Sequence, residues 1–355
     1  MRVRIVSYED INAWILGKFA RRLREELLNL GVEADIGSEP DPKADINHHI
    51  IYLGYDEAKA TAVDTLMITH IDDIRKLNLL TSQLKVAKAG ICMSAPIMNE
   101  LASAGLPADR ILYISPAHDG VIKPRKIVIG ITSKVQPDGC KREYLVEQLF
   151  DHISPDVFSL SIMGAGWDSI VDRIRRKGFE VVYHDEFEYD TYTKLVPTFD
   201  YYLYTGQDEG SMGFIDALAA GVKTVVTPQG YHLDAPGGIV HAFNEIEELR
   251  AIFDRIQAEK QALLDAVKTW NWRDHAIKHM EVWEYLLTGK KAQSQYADGL
   301  NSMLGEKQLL TADELRRRKN KMRTGMVRRM LFKLKKLRDR EFMKRKISEL
   351  FTGKK

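Results

Sequence analysis

A glycine-rich, acidic stretch at residues 208–221, with the sequence DEGSMGFIDALAAG, has the residue types to bind an anion. Apolar runs flank it on both sides, so the pattern predicts a loop that opens a helix. The backbone N–H groups of Ser211, Met212 and Gly213 at this helix start can donate to phosphate oxygens, and the helix dipole adds to the attraction. Gly210 and Gly213 let a ligand approach the backbone closely. A loop with an acidic N-cap, followed by a small-residue helix packed on a sheet, has the same pattern.

Two carboxylates in this stretch are candidates for binding hydroxyl groups. Asp208 lies before the predicted helix and Asp216 lies inside it, with seven residues between them. Carboxylate oxygens accept hydrogen bonds from sugar or ribose hydroxyls. These acids therefore add hydroxyl recognition to the predicted anion site.

The elements that must position this stretch follow from the alternation of short apolar runs with longer amphipathic ones. Strands are predicted at 3–6, 32–36, 50–53, 65–69, 90–94, 111–114, 127–131, 158–163, 181–183, 201–204 and 224–227. Helices are predicted at 11–30, 95–104, 143–150, 167–177, 212–220 and 245–267. Strand–helix alternation implies parallel sheets covered on both faces, with ligands at the carboxyl ends of the strands.

The alternation restarts after residues 120–125, which are predicted to connect two domains. We therefore predict an α/β protein with two Rossmann-like, doubly wound domains, the first at 1–122 and the second at 123–289. Strand signals vanish after about residue 289, and polar and then basic residues dominate. Residues 290–355 are predicted to be an appended, largely helical tail.

The stretch at 208–221 resembles the donor site of retaining GT-B glycosyltransferases of the family-four type. That pattern has two acids separated by seven residues, then Ala-hydrophobic-Ala-x-Gly and a valine-rich strand, and Asp208 and Asp216 match its acids. This chain has aspartate where the family usually has glutamate, and Glu209 is the first acid if the loop is one residue shorter. The resemblance implies a GT-B fold, in which the two domains face each other across a cleft. It also implies transfer of a sugar from a nucleotide-sugar with retained anomeric configuration.

The resemblance extends over most of residues 1–289 and implies further donor-binding residues. Lys134 and Lys141 lie in the first loop of the second domain, where basic residues neutralise the leaving diphosphate. Gly164 belongs to a Gly-x-Gly that ends a strand, and Gly230 and His232 follow the next strand of the donor site. With residues 210–213 and Asp216, they form the predicted donor site.

In the first domain, His70 follows a predicted strand, where the family has a histidine beside the transferred sugar. His70, Asp208 and Glu209 are therefore the catalytic candidates. His48 and His49 precede another predicted strand, and we interpret them as structural. The sequence at 271–288 resembles the closing helix that crosses back onto the first domain.

No metal and no cofactor are expected, because the nucleotide-sugar is a substrate and no Asp-x-Asp follows a predicted strand. Two cysteines, Cys92 and Cys140, suggest neither a disulfide framework nor a zinc cluster and favour a reducing compartment. The N-terminal apolar stretch is too short for a signal peptide, and no apolar run is long enough to span a membrane. We therefore expect a cytoplasmic protein.

The segment 315–355 contains 18 Lys/Arg and 3 Asp/Glu, a charge of +15, whereas the whole chain carries +2. The remaining residues therefore carry −13. Apolar side chains recur at helical spacing in this tail, at Met326, Met330, Leu334, Leu337, Met343, Ile347 and Leu350. Such a basic amphipathic pattern predicts peripheral binding to an anionic membrane surface, on its inner face, rather than to nucleic acid. A solvated helix that packs on the rest of the protein or on a protein partner has the same pattern.

Two other functions have the same sequence features. Another GT-B enzyme, such as a nucleotide-sugar epimerase or a phosphorylase, would use the same donor site but would need no membrane tail. A non-catalytic binding protein with a decayed donor site would explain the aspartates that replace glutamates. The favoured prediction remains a transferase that acts on a lipid-linked, polysaccharide or other glycan acceptor.

Overall fold

Two parallel β-sheets, each of six strands, organise the fold. The computed structural model describes residues 1–324 together with Lys335 and Lys344. The chain divides into a first unit, which contains Met1–Gly120 and the residues from Lys268 onward, and a second unit, Val121–Val267. The predicted α/β class with two doubly wound parallel sheets is confirmed.

The first unit begins with six strands and three α-helices, and β2, β3 and β4 follow one another without an α-helix between them. The strands are β1 Arg2–Val6, β2 Glu33–Gly37, β3 Ile46–His49, β4 Asp64–Ile68, β5 Ala89–Cys92 and β6 Ile111–Tyr113. The helices are α1 Ile15–Asn29, α2 Ile74–Gln83 and α3 Ala95–Ser103. The sheet order is β2-β1-β3-β4-β5-β6, so the direction in which strands are added reverses between β1 and β3.

The prediction of a strand at 50–53 is wrong, because the residues just before it form the strand that pairs in the sheet. β3 is formed by Ile46–His49 and is hydrogen-bonded to β1 on one side and β4 on the other. Three of its four residues are polar, so apolar periodicity does not reveal it. Each polar side chain has a partner instead: Asn47 donates to Thr61, His48 contacts Thr65, and His49 contacts Tyr8. His48 and His49 therefore lie inside a strand rather than before one.

The second unit has the strand order of the Rossmann fold. Its strands are β7 Ile127–Ile131, β8 Phe158–Met163, β9 Val181–His184, β10 Tyr201–Tyr204, β11 Lys223–Val226 and β12 His241–Ala242. Its helices are α4 Glu143–Phe150, α5 Asp168–Arg176, α6 Tyr189–Leu195, α7 Met212–Ala219 and α8 Ile246–Asp265. The sheet order β12-β11-β10-β7-β8-β9 reverses direction between β7 and β10.

The helix predicted at 271–288 returns to the first unit. This helix, α9 Trp272–Thr288, buries Trp272, Ala276 and Trp283 in the same apolar core as Val3 and Phe19. The second unit thus ends at Val267 rather than at 289.

Residues 290–324 are part of the first unit rather than a separate appendage. A short helix, α10 Leu300–Leu304, buries Leu300 and Met303 against β5 and β6. Residues 312–324 are helical, and Met322 is buried in the core that contains Leu77 and Leu80. The predicted amphipathic pattern from Met326 to Leu350 lies outside the described residues. Among the described helices, none is long and apolar enough to cross a membrane.

Candidate functional site

The predicted anion site lies at the carboxyl edge of the second sheet, where the strand order reverses. The loop after β7 spans residues 132–142, and the loop after β10 spans residues 205–211. Connections from β7 and β10 leave the sheet in opposite directions, which opens a crevice between their carboxyl ends. Open parallel sheets bind ligands at this position, so topology and sequence indicate the same place.

Lys141, Tyr204 and Asp208 form a cluster across this crevice. The Lys141 ammonium donates to the Tyr204 hydroxyl over 2.6 Å and forms an ion pair with the Asp208 carboxylate. The Tyr204 hydroxyl in turn lies 2.7 and 2.8 Å from the two Asp208 carboxylate oxygens. The sequence places Lys141 and Asp208 far apart, and only the sheet brings them together.

The cluster is electrostatically coupled. Burial alone would raise the pKa of Asp208, but hydrogen bonds from Lys141, Tyr204 and the Gly210 N–H outweigh it, and the pKa is lowered. Burial and the neighbouring Asp208 carboxylate raise the pKa of the Tyr204 hydroxyl. Asp208 is therefore an ionised carboxylate, and Tyr204 stays protonated as a hydrogen-bond donor. Glu209 is exposed, and its backbone carbonyl accepts from the Tyr231 N–H, so the geometry favours Asp208 as the acid of this site.

Buried Arg142 fixes the loops that carry the cluster. Its guanidinium donates to the Thr205 carbonyl, the Asn244 carbonyl and the Thr227 hydroxyl at 2.6 to 2.7 Å. Arg142 also has φ of +45°, a left-handed conformation that is uncommon outside glycine. One side chain therefore ties the start of α4 to the loops that follow β10, β11 and β12. The Gln207 N–H adds a further link by donating to the Cys140 carbonyl over 2.7 Å.

His232 accepts a hydrogen bond from the backbone at the start of α7, so not every N–H group there is available to a ligand. The Ser211 N–H donates to His232 Nε2 over 2.9 Å, and His232 Nδ1 lies 3.2 Å from the Thr227 carbonyl. His232 is fully buried, and burial lowers its pKa, so the ring is neutral and both nitrogens are engaged. Ser211 and His232 therefore hold each other and position the loop, and their direct contact with the donor stays a prediction.

The rest of the predicted helix start has the expected placement. Met212 opens α7 and is exposed, while Gly213 is buried against the loop after β7. A Cβ atom at Gly213 would lie 1.9 Å from the Thr132 hydroxyl, so only glycine allows this approach. Asp216, one turn further along, is half-buried and accepts a hydrogen bond from the Tyr192 hydroxyl of α6.

Gly164, which follows β8, packs against the backbone of Ser133 and Lys134 in the loop after β7. Gly164 has φ of +149°, and a Cβ atom there would lie 2.3 Å from the Ser133 carbonyl. Trp167 closes the same contact, because its indole N–H donates to the Ser133 carbonyl over 2.6 Å. Lys134 follows this anchored residue and is exposed. Gly230 begins a short 3-10 turn that packs against the Glu209 backbone.

His70 follows β4 at the carboxyl edge of the first sheet, as predicted. Its imidazole is 63% exposed, with Nε2 3.7 Å from an Asp72 oxygen and 3.4 Å from the Lys76 ammonium. Its backbone carbonyl accepts from the Tyr52 hydroxyl. Within the described residues, no three His, Cys, Asp or Glu side chains cluster in a way that could hold a metal ion.

Tyr204, Arg142, Trp167 and Gln229 are functional-site residues that sequence reasoning missed. Gln229 accepts from the Asp208 N–H over 2.9 Å and so supports the cluster from the loop after β11. The one signal in the sequence was position. Tyr204 ends a predicted strand, Gln229 follows another, and Arg142 directly precedes a predicted helix. The side chains of Arg142 and Gln229 bond to residues 21 to 102 positions away, so no local pattern indicates these contacts.

No protein-family model and no curated protein matches the chain. Among solved structures, it is similar to HepE of Anabaena in complex with UDP and glucose, at 12% identity over 79% of this chain and 98% of that one, with a TM-score of 0.33. It is similar to a glycosyltransferase from Rickettsia africae, at 11% identity over 81% and 99%, with a TM-score of 0.34. It is also similar to sucrose-phosphate synthase from Thermosynechococcus elongatus, at 11% identity over 81% and 100%, with a TM-score of 0.35. At this degree of similarity, function has to be inferred from the residues of the chain itself.

Proposed function

We propose that the protein is a GT-B glycosyltransferase, which moves a sugar from a nucleotide-sugar to a hydroxyl group of a glycan or lipid-linked acceptor. The observation that carries this proposal is the convergence of Lys141, Asp208 and the start of α7 at the switch point of a Rossmann-ordered sheet. A cation, a helix N-terminus and carboxylates in one crevice suit a ligand that has both a diphosphate and sugar hydroxyls.

Each residue has a role in this proposal. Lys141 and Lys134 neutralise the diphosphate, and the N–H groups of Met212 and Gly213 bind its oxygens. Asp216 accepts hydrogen bonds from ribose or sugar hydroxyls, and Asp208 does the same beside the transferred sugar. In the first unit, His70 contacts the sugar or the acceptor.

The finer features of the reaction follow from the family resemblance. We propose that transfer retains the anomeric configuration and needs no metal ion, because the lysines and the helix dipole can supply the positive charge that a cation would. The leaving group is then a nucleoside diphosphate stabilised by Lys141. Retention is read directly from the anomeric coupling of the product by NMR, and addition of EDTA should not lower the rate.

A nucleotide panel tests the proposal. UDP, GDP, ADP and CMP are added to separate samples, and the free energy of unfolding is followed by thermal shift. The true nucleotide, at about 100 times its Kd, should stabilise the protein by about 2.7 kcal/mol. Turnover of the matching nucleotide-sugar is then measured by release of the nucleoside diphosphate. If no nucleotide stabilises the protein, the donor site is contradicted, whereas binding without turnover indicates a non-catalytic binding protein.

We also propose that the basic tail brings the enzyme to the anionic inner face of a membrane, where a lipid-linked acceptor lies. Each basic residue near such a surface contributes about 1 kcal/mol. Full-length protein should co-sediment with phosphatidylglycerol vesicles, less so as salt rises, and removal of residues 325–355 should abolish binding. The truncation begins after 324 because Met322 is buried in the first unit, and its loss would confound the test.

A variant that changes only charge separates electrostatic attraction to the membrane from the loss of the whole tail segment. Glutamine at Lys333, Lys335, Lys336 and Arg338 keeps the length and the apolar residues but removes four charges. This variant should bind anionic vesicles much more weakly and phosphatidylcholine vesicles unchanged. Equal vesicle binding by the truncated protein, or preference for nucleic acid at physiological salt, would contradict the membrane proposal.

A further inference from the structure

Tyr8 and His49 meet at the switch point of the first sheet. β1 ends at Val6, which pairs with His49 at the end of β3, and Tyr8 follows two residues after Val6. Since the strand order reverses between β1 and β3, this is the crevice in which the first unit should bind a ligand. None of the donor-site residues lies in this unit.

A chain of hydrogen-bonding groups runs from the surface to the interior here. The Tyr8 hydroxyl lies 2.7 Å from His49 Nδ1, and the two rings are stacked. His49 Nε2 lies 3.5 Å from an Asp64 carboxylate oxygen. Tyr8 is 37% exposed, whereas His49 is 1% and Asp64 is 2% exposed. Of these three side chains, only Tyr8 reaches solvent.

Asp64, at the buried end, fixes the direction of the hydrogen bonds in this row of side chains. Asp64 accepts from the Thr61 N–H over 2.8 Å and from the Tyr55 hydroxyl over 3.0 Å. Burial would raise the pKa of Asp64, but the contacts with His49 and Thr61 outweigh it and lower the pKa. An ionised carboxylate only accepts, so a proton on His49 Nε2 faces a negative charge 3.5 Å away, and the tautomer with this proton leaves Nδ1 as an acceptor.

Tyr8 must then donate its proton inward. Burial and the carboxylates of Glu39 and Asp64 raise the pKa of Tyr8, so the hydroxyl keeps this proton. The lone pairs of the phenolic oxygen that remain are free to accept a hydrogen bond from a ligand. The site therefore recognises a group that donates, such as a hydroxyl, and gains nothing from an ether oxygen at the same place.

We propose that Tyr8 binds the acceptor substrate, by accepting a hydrogen bond from a sugar hydroxyl, with His49 and Asp64 as positioning residues that set the direction of this bond. The inference rests on the proposed glycosyl transfer and assigns the hydroxyl-bearing acceptor to the first unit. Exposed Tyr8 touches the acceptor, whereas buried His49 and Asp64 act only through Tyr8.

Two tyrosine variants of the full chain test the proposal. Tyr8→Phe removes the hydroxyl that contacts the acceptor. Tyr55→Phe is the matched control, because it removes a hydroxyl that donates to Asp64 at the buried end of the same network. Turnover of UDP-glucose, GDP-mannose and ADP-glucose is measured with water and with methyl α-D-glucopyranoside as acceptors. Tyr8→Phe should lower kcat/KM for the acceptor about tenfold, and Tyr55→Phe by less than about threefold. Affinity for the nucleoside diphosphate should be unchanged in both.

The positioning roles have a readout of their own. In ¹⁵N-histidine-labelled protein, His49 should show an unprotonated Nδ1 and a protonated Nε2, and Tyr8→Phe should shift the Nδ1 signal. A protonated Nδ1, or equal acceptor kinetics in Tyr8→Phe and wild type, would overturn the inference and leave the donor site intact. Equal losses in both tyrosine variants would also overturn it, because they indicate a structural network. Wild-type protein that turns over none of the nucleotide-sugars overturns the proposed function itself, and this inference with it.

Discussion

Acidification from about pH 6 to about pH 5 is expected to lower the free energy of unfolding of the first unit by about 4 kcal/mol through three histidines. His48, His275 and His279 are buried at 1–4% exposure, and the His279 ring of α9 contacts the rings of both His48 in β3 and His275 in α9. Burial lowers the pKa of His48 and His275 well below the usual value and lowers the pKa of His279 to about 4.

The sign follows from proton uptake on unfolding. In this range the unfolded chain binds a proton at each histidine, because an exposed imidazole has a pKa of about 6.5, and the folded unit binds none. Each histidine therefore lowers the free energy of unfolding by about 1.4 kcal/mol per pH unit below that value. Glu100 and Glu281 act in the opposite direction, since burial raises the pKa of each carboxyl, and they offset part of the loss.

Urea unfolding at a series of pH values, followed by tryptophan fluorescence, measures this slope. His279→Gln removes one of the three titrating groups and should reduce the slope by about 1.4 kcal/mol per pH unit. The contributions of the carboxyls cancel in this comparison. His70→Gln is the matched control, because solvent already reaches the 63% exposed His70 ring in the folded state. An unchanged slope in His279→Gln would show that the buried cluster titrates in the folded unit.

Two substitutions at one ion pair should change nucleotide affinity in opposite directions. Lys141 is paired with Asp208, so a diphosphate must replace this carboxylate as the partner of the ammonium. Lys141→Ala removes the cation and should weaken binding of the nucleoside diphosphate about 10- to 100-fold, which is the range for charge-assisted hydrogen bonds. Asp208→Asn keeps the shape but removes the competing negative charge, so binding should become tighter.

Isothermal titration with the nucleotide identified in the panel measures both effects. Lys126→Ala is the control for net charge, because Lys126 pairs with Glu180 at the start of β7, the opposite end of the strand from the site. It should bind as wild type does. Asp208→Asn should also lower sugar transfer while it tightens nucleotide binding, because Asp208 is proposed to contact the sugar. Weaker nucleotide binding in Asp208→Asn would contradict competition between the carboxylate and the diphosphate.

Local pattern was enough to predict most elements of the fold. Strands at 127–131, 158–163 and 201–204 match β7, β8 and β10, because buried parallel strands are short apolar runs and their residues contact solvent on neither face. The loop and helix start at 208–213 were predicted in the same way, since glycines and a following small-residue helix are local features. β3 was missed because its residues are mostly polar, and their side chains contact partners elsewhere in the chain.

Only the tertiary structure decided which residues share a site. Strand order is a property of the sheet, and it brought Lys141 to Asp208, Arg142 to the ends of β10 and β11, and Tyr8 to His49. It also placed His232 in the interior, where its ring accepts a hydrogen bond from the Ser211 N–H. The sequence alone determined that a glycine-rich loop opens a helix and that a basic tail is present, because charge and glycine placement are local. Contacts across a sheet depend on crossovers between distant segments, so their residue pairs follow from the packing of whole elements.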